Sequence, residues 1–271
     1  MDIAFAFDEA YAGHARVALE SVLDSHDRDD ITFWLLTTDT VAKEQEQSLR
    51  RQLAGRGRLH LLTTGDAFRA LPVAEHESLT YLSPGMYLRL LLPDLVDGPG
   101  RLLYLDADIQ VCGDLGPLWQ LPLGTAPLAA VRDAFTDRFD MWGGIPGAGA
   151  EHPDDAPYFN SGVLLINMDR WRELRVTERC LAYLAEHGGS LRFPDQDALN
   201  LVAFAQWLRL PPRWNHMCSY LLEPMTPQQR AAEDVRVMHF AGPRKPWTPG
   251  FRPGFRQSRH QTLTTRVTTY H

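Results

Sequence analysis

Residues 101–111 read RLLYLDADIQV, and the change of character inside that run decides the fold. Leu102 to Leu105 have the composition of a buried strand. Asp106 and Asp108 then interrupt it. Residues two apart on an extended strand share a face, so the spacing predicts one strand over 101–111 with the two carboxylates side by side. Two like charges at the end of a buried strand are costly unless a cation lies between them. Carboxylate oxygens suit hard divalent ions such as Mg²⁺ and Mn²⁺, which also bridge to phosphates. A strand simply ending in solvent would use the same three letters, so the motif needs company.

Working outward, DIAFAF at 2–7, ITFWLLTTD at 31–39 and RLHLLTT at 58–64 read as strands. Between them, 13–24 carries Val17, Leu19, Val22 and Leu23 at near-helical spacing, and 41–54 is a polar helix with Gly55 and Gly57 as stop signals. This is βαβαβ, the pattern of a parallel sheet covered by helices. Residues 84–93 predict a helix entered by Pro84. Downstream, 127–134, 158–168 and 236–242 predict strands, and 169–187 and 195–204 predict helices. The Gly- and Pro-rich stretch 135–159 predicts a functional loop, an acceptor-side lid. The last dozen residues are polar and predict a frayed end. With no repeat and no linker, the expectation is one α/β domain over 1–271.

Composition removes several classes of function. The 27 basic and 34 acidic residues give a formal net charge of −7 without a Lys/Arg block, which argues against a nucleic-acid binder. No apolar run reaches the ~18 residues of a membrane span, and Met1 opens a strand-like run, not a basic leader. Cys112, Cys180 and Cys218 form no CxxC or zinc spacing, so reduced thiols and a cytoplasmic setting are expected.

Other residues gather around the acid pair. His239 follows Val235 and Val237 at strand spacing, and an imidazole would complete a three-ligand set with Asp106 and Asp108. Gly242, Arg244 and Lys245 follow, and Lys245 is one of only two lysines, with Lys43. A lysine point charge beside a glycine suits a diphosphate. Asp195 and Gln196 follow Pro194 at a helix start, where Asp195 is a reasonable N-cap. Asn160 and Ser161 interrupt an apolar stretch, and buried polar groups need partners, which suggests a ligand-facing strand end.

Six collinear motifs now carry a resemblance: DIAFAFDEAY at 2–11, YLRL at 87–90, LLYLDADIQV at 102–111, YFNSGVLLINMDRW at 158–171, PDQDALN at 194–200 and HFAGPRKPW at 239–247. The chain resembles the retaining, nucleotide-sugar-dependent glycosyltransferases of family 8, most of all the bacterial lipooligosaccharide α-galactosyltransferases and more distantly the glycogenins. The resemblance implies a GT-A fold, with a nucleotide-binding half over about 1–112, an acceptor and metal-completing half over about 113–250, and a tail at 251–271. It implies Mn²⁺, or Mg²⁺, on Asp106, Asp108 and His239. It places uracil on Asp8 by hydrogen bond and on Tyr11 by stacking. Arg89, Asp133, Asn160, Asp195 and Gln196 would contact the donor sugar, with Ala107 and Ser161 in the same donor pocket. Gly242 and Lys245 would bind the diphosphate, and Asp195, Gln196 and Lys245 are the catalytic candidates. The implied reaction moves a hexose from UDP-galactose or UDP-glucose to a saccharide, natural-product or protein hydroxyl. Ala10 departs from the polar residue that relatives often carry near the nucleotide. Only Arg266 is basic among the last eleven residues, which argues against a lipid-linked acceptor. Two other classes use a DxD or this scaffold: a metal-dependent phosphohydrolase with an aspartate nucleophile, whose motif usually ends the first strand, and a non-catalytic nucleotide-sugar binder.

Overall fold

The computed structural model describes residues 1–26, 30–65, 84–218, 234–251 and 258–270. Strands β1 (Asp2–Ala6), β2 (Thr32–Thr37), β3 (Arg58–Thr63) and β4 (Arg101–Leu105) run parallel in the order β3-β2-β1-β4. Helices α1 (Ala12–Ser25) and α2 (Asp39–Leu53) cross between the first three. The hydroxyl of Thr38 caps α2 by accepting the Val41 N–H at 3.4 Å, and Arg50 and Arg51 sit in its last turn, where they favour the helix dipole.

The sheet continues to seven strands. β7 (Phe159–Asn167) lies antiparallel to β4, β6 (Leu128–Arg132) antiparallel to β7, and β8 (Leu208–Leu210) parallel to β6. Alternate residues feed two cores. Ala4, Trp34, Leu102, Tyr104, Ala130 and Leu164 face α3 (Leu88–Leu95), α5 (Met168–Glu173), α6 (Val176–His187) and α7 (Pro194–Val202). Ile3, Phe5, Phe33, Leu35, Leu103 and Leu165 face α1 and α2. Each fully buried side chain of this size contributes about 1.5–3 kcal/mol.

The expected single strand over 101–111 is two strands in two sheets. β4 ends at Leu105, residues 106–108 turn, and β5 (Ile109–Val111) enters a second sheet. There it pairs antiparallel with β10 (Val237–His239), which pairs parallel with β9 (His216–Met217). The apolar pattern runs on because Leu105 and Ile109 enter the same core. Backbone bonds from both sheets hold the turn: Asp106 N–H donates to Gly162 O at 2.9 Å, and Phe240 N–H donates to Asp108 O at 3.0 Å. A short α4 (Gly116–Trp119) follows.

Two further expectations are corrected, for the helix over 169–187 and for the C-terminus. The helix over 169–187 is two helices, because Arg175 takes a left-handed conformation at φ 53° between α5 and α6. The Gly/Pro-rich stretch is a largely exposed excursion with a few buried anchors. Phe139, Ile145 and Ala156 are buried in it, and Arg138 bridges Pro157. The polar C-terminus forms α8 (Ser258–Val267), which packs Leu263 and Val267 on Val17 of α1. Two apolar residues four apart are enough to seat it. The three cysteines carry free thiols; Cys180 is buried, while Cys112 and Cys218 are partly so. Among the described residues no helix is long and apolar enough to cross a membrane.

Candidate active site

The C-terminal edge of the parallel strands meets the second sheet in one cleft, the usual place for a ligand in an open α/β sheet. Tyr11, Arg89, Asp106, Ala107, Asp108, Asp133, Asn160, Ser161, Asp195, Gln196, His239, Gly242 and Lys245 all line it. Asp8 sits at the border of the cleft, beside the lining residues Phe7 and Gly85. Its carboxylate is buried and accepts the N–H groups of Ala10 at 3.1 Å and Gly85 at 3.2 Å. A carboxylate has about four acceptor positions, so two remain.

One wall is acidic. Ligand atoms of Asp106, Asp108 and His239 lie within 4.8 Å of one another. They meet because β10 pairs His239 with Ile109, the residue after Asp108. His239 Nε2 is 3.2 Å from Asp108 Oδ1 and 3.7 Å from Asp106 Oδ2. Its Nδ1 donates to Asn215 Oδ1 at 2.9 Å, which fixes the tautomer and turns the other nitrogen's lone pair to the acids. Space is reserved as well. A Cβ on Gly162 would come within 2.3 Å of His239 Cε1 and 2.7 Å of Asp106 Oδ2. Two carboxylates and an oriented imidazole around such a gap fit a divalent cation.

Lys245 Nζ donates to Asp108 and, at 2.8 Å, to the carbonyl of Phe240. Burial raises the Asp108 pKa, but Lys245 and His239 outweigh it and hold the carboxyl far below its ordinary value. Tyr104 donates to Asp106 Oδ1 at 2.5 Å, from two residues earlier on β4.

The facing wall is polar and densely hydrogen-bonded. Arg89 joins the walls: Nη1 is 3.0 Å from Asp106 Oδ1 and Nε is 2.9 Å from Asp195 Oδ2. Burial disfavours its charge, yet Asp106 and Asp195 raise its pKa beyond that penalty. Burial also raises the Asp195 pKa against the pull of Arg89. Gln196 Oε1 accepts the Ser161 N–H at 2.9 Å, and Gln196 Nε2 donates to Asp133 Oδ2 at 3.2 Å. Asn160 donates to the same Asp133 oxygen at 2.9 Å and accepts from Asn215 at 2.8 Å. An unbroken chain of side chains thus runs from His239 through Asn215, Asn160 and Asp133 to Gln196. Asp195 does not cap α7. Phe193 is the N-cap, and its N–H donates to Asp197 Oδ2 at 3.0 Å, which frees Asp195 for Arg89.

The end of the cleft around Tyr11 is aromatic. Tyr11 meets His14 and Trp247 edge-on, and His14 stacks on Trp247 with ring centroids 3.4 Å apart. Burial lowers the pKa of both His14 and His260, which also contacts Trp247, to about 4. The sequence reading missed Asn215, Tyr104 and Gly162 in their supporting roles, and Phe135, Thr136 and Phe193 in the lining. Asn215 carried one signal, a lone amide between Trp214 and His216.

A parallel nucleotide-type half ending in an acid-acid-histidine cluster, fused to an antiparallel half that closes the cleft, defines a GT-A glycosyltransferase. The family model described as glycosyl transferase family 8 matches residues 2–249, and the chain belongs to that family. Its similarities run to General stress protein A of Bacillus subtilis (strain 168), 30% identical over 65% of this chain and 64% of that protein. The lipopolysaccharide 1,2-glucosyltransferase of Escherichia coli (strain K12) is 27% identical over 91% of this chain and 72% of its own length. Among solved structures, the galactosyltransferase LgtC in complex with donor and acceptor sugar analogs superposes with a TM-score of 0.82 at 27% identity, covering 99% of this chain and 96% of that one. The chain spans just under two thirds of the stress protein's length.

Proposed function

We propose that the chain is a retaining hexosyltransferase that takes galactose or glucose from its UDP-sugar and passes it to a hydroxyl of a saccharide, natural-product or protein acceptor. One observation carries the reading: the acid-acid-histidine cluster with Lys245 faces the Asp195-Gln196-Asp133-Asn160 wall across a single cleft. Relatives named for glucosyl and galactosyl transfer support the choice of a hexose.

Mn²⁺, or Mg²⁺, held by Asp106, Asp108 and His239, would supply Lewis-acid stabilisation of the leaving diphosphate. Gly242 leaves room for the diphosphate and Lys245 grips it as a point charge. Tyr11 stacks on uracil, and Asp8 offers its two remaining acceptor positions to the base. Arg89, Asp133, Asn160, Ser161 and Gln196 orient the sugar, with Ala107 at the floor. Burial raises the pKa of Asp195, which is tied to Arg89. Gln196 Oε1 already accepts from Ser161. A double displacement would need one of these two to be a free nucleophile. Their engagement favours front-face attack, with an oxocarbenium-like sugar and the leaving diphosphate taking the acceptor proton. A cytoplasmic setting fits the three free thiols. The phosphohydrolase alternative finds no support, since the motif ends β4 and not the first strand.

The test is incubation of UDP-glucose and UDP-galactose with a panel of saccharide acceptors, with and without Mn²⁺, while following UDP release and the anomeric proton of the glycosylated product. The expected result is metal-dependent release and an α-linked product. An inverted anomer, or no metal-dependent release from either donor, contradicts the reading.

A further inference from the structure

Trp142 sits where a tryptophan is costly. Its backbone is left-handed at φ 61° and ψ 24°, a conformation that costs a bulky residue about 1–3 kcal/mol. Burial does not offset that cost, because Trp142 is 61% exposed, more than Leu95 or Leu208, the other exposed large apolar residues among those described. The side chain is nevertheless fixed. Its indole N–H donates to Thr136 Oγ1 at 3.1 Å, and the Arg192 guanidinium lies over the ring 4.6 Å from its centroid. One face is covered by Arg192, and the exposure belongs to the rest of the ring.

One anchor lines the cleft and the other adjoins a residue that does. Thr136 lines it, and the Thr136 N–H is held by Asp133 Oδ1 at 2.9 Å. Phe193, the residue after Arg192, lines it too. Trp142 therefore stands at the rim beside the sugar wall, with no contact to the Tyr11 end among its recorded partners. The opposite face of the indole is free, and a flat aromatic face backed by a guanidinium matches the apolar C–H face of a pyranose.

We propose that Trp142 is a stacking platform for the second sugar ring of an oligosaccharide acceptor, one residue beyond the unit that enters the cleft. The proposal rests on the glycosyl-transfer reading and narrows its acceptor to a glycan of two or more rings.

The test is binding of a panel of neutral mono-, di- and tetrasaccharides to the full chain loaded with UDP and Mn²⁺. Hits are then titrated against wild type, Trp142→Ala, Trp142→Gly and Trp142→Phe. The expected result is a di- or tetrasaccharide bound roughly tenfold more tightly than its own terminal monosaccharide, the scale of one ring-face contact. That ratio should collapse toward one in Trp142→Ala and persist in part in Trp142→Phe. Trp142→Gly accepts the left-handed backbone without strain, so an equal loss there assigns the effect to the ring. An unchanged ratio in Trp142→Ala, an equal loss for the monosaccharide, or no preference for longer glycans overturns the proposal, the last outcome pointing to a protein surface at Trp142 instead. Failure of UDP itself to bind refutes the transferase reading, and it is scored separately from the glycan ratio.

Discussion

Lys245 shows how much one residue carries. An ammonium buried to 6% exposure is stable only when paired, and its partners are Asp108 and the Phe240 carbonyl. On the proposed function it stands beside a candidate metal-ligating acid, where a leaving diphosphate would gain charge. An interaction that strengthens as the bond breaks appears in kcat. Lys245→Ala should lower kcat by roughly 10²-fold or more, the loss expected for one preorganised charge. Lys245→Arg should recover only part, because a planar fork replaces a point charge. Arg244, exposed one residue earlier, should tolerate alanine with near-normal turnover. Steady-state kinetics decide: a damaging Arg244→Ala beside a silent Lys245→Ala would contradict the assignment. At this scale the sequence exposed the residues that do chemistry by type, since acids, an imidazole and a lysine stand out from apolar runs. It hid those that work by position. Asn215 lies 24 residues from the histidine it orients, and Gly162 matters only because His239 crosses above it.

At the level of elements, α7 carries Asp195 and Gln196 of the cleft's second wall, and Asp197 is its pH-sensitive point. Burial raises the Asp197 carboxyl to about 6, although Tyr158 and the Phe193 N–H favour its charge. Its folded pKa is above the unfolded value of 3.8, so its contribution to stability is fully present below pH 3.8 and is lost as pH rises through about 6. Two units correspond to about 3 kcal/mol. Urea unfolding of wild type and Asp197→Asn from pH 3.5 to 7.5 should show wild type gaining on the variant by about that amount as pH falls from 7 to 4. Parallel curves would contradict the account. The elements themselves were largely legible, because strand alternation and helix spacing reflect which side chains face a core. The break between β4 and β5 was not, since two acids at alternate positions read equally as one face of a continuing strand, and the buried apolar residues on either side gave no sign of a change of sheet. The acid pair was read correctly as a pair, but a turn clamped by Gly162 and Phe240 brings it together, not the pleat of a single strand.

Across the whole molecule, the C-terminal helix closes a circuit the sequence did not reveal. Its mean character is polar, and only its partners show that Leu263 and Val267 meet Val17. Arg266 pairs with Asp24 at 2.6 Å, and Tyr270 donates to the fully buried Glu20 at 3.2 Å. His260 touches Trp247 and Phe240, so α8 also backs the loop that carries Lys245. Leu263 is fully buried, and Leu263→Ala should cost about 2–4 kcal/mol in urea unfolding. A change under about 0.5 kcal/mol would mean that α8 adds nothing to the folded core. The proposed function requires that both walls form one nucleotide-sugar site organised by the acid-acid-histidine cluster. Calorimetric titration of UDP into wild type and Asp108→Asn, each with and without Mn²⁺, measures that organisation. Mn²⁺ should strengthen UDP binding to wild type by tenfold or more, on the order of 1.4 kcal/mol, and Asp108→Asn, still folded by circular dichroism, should lose that gain. UDP binding of equal strength with and without Mn²⁺ in wild type would contradict the proposed function.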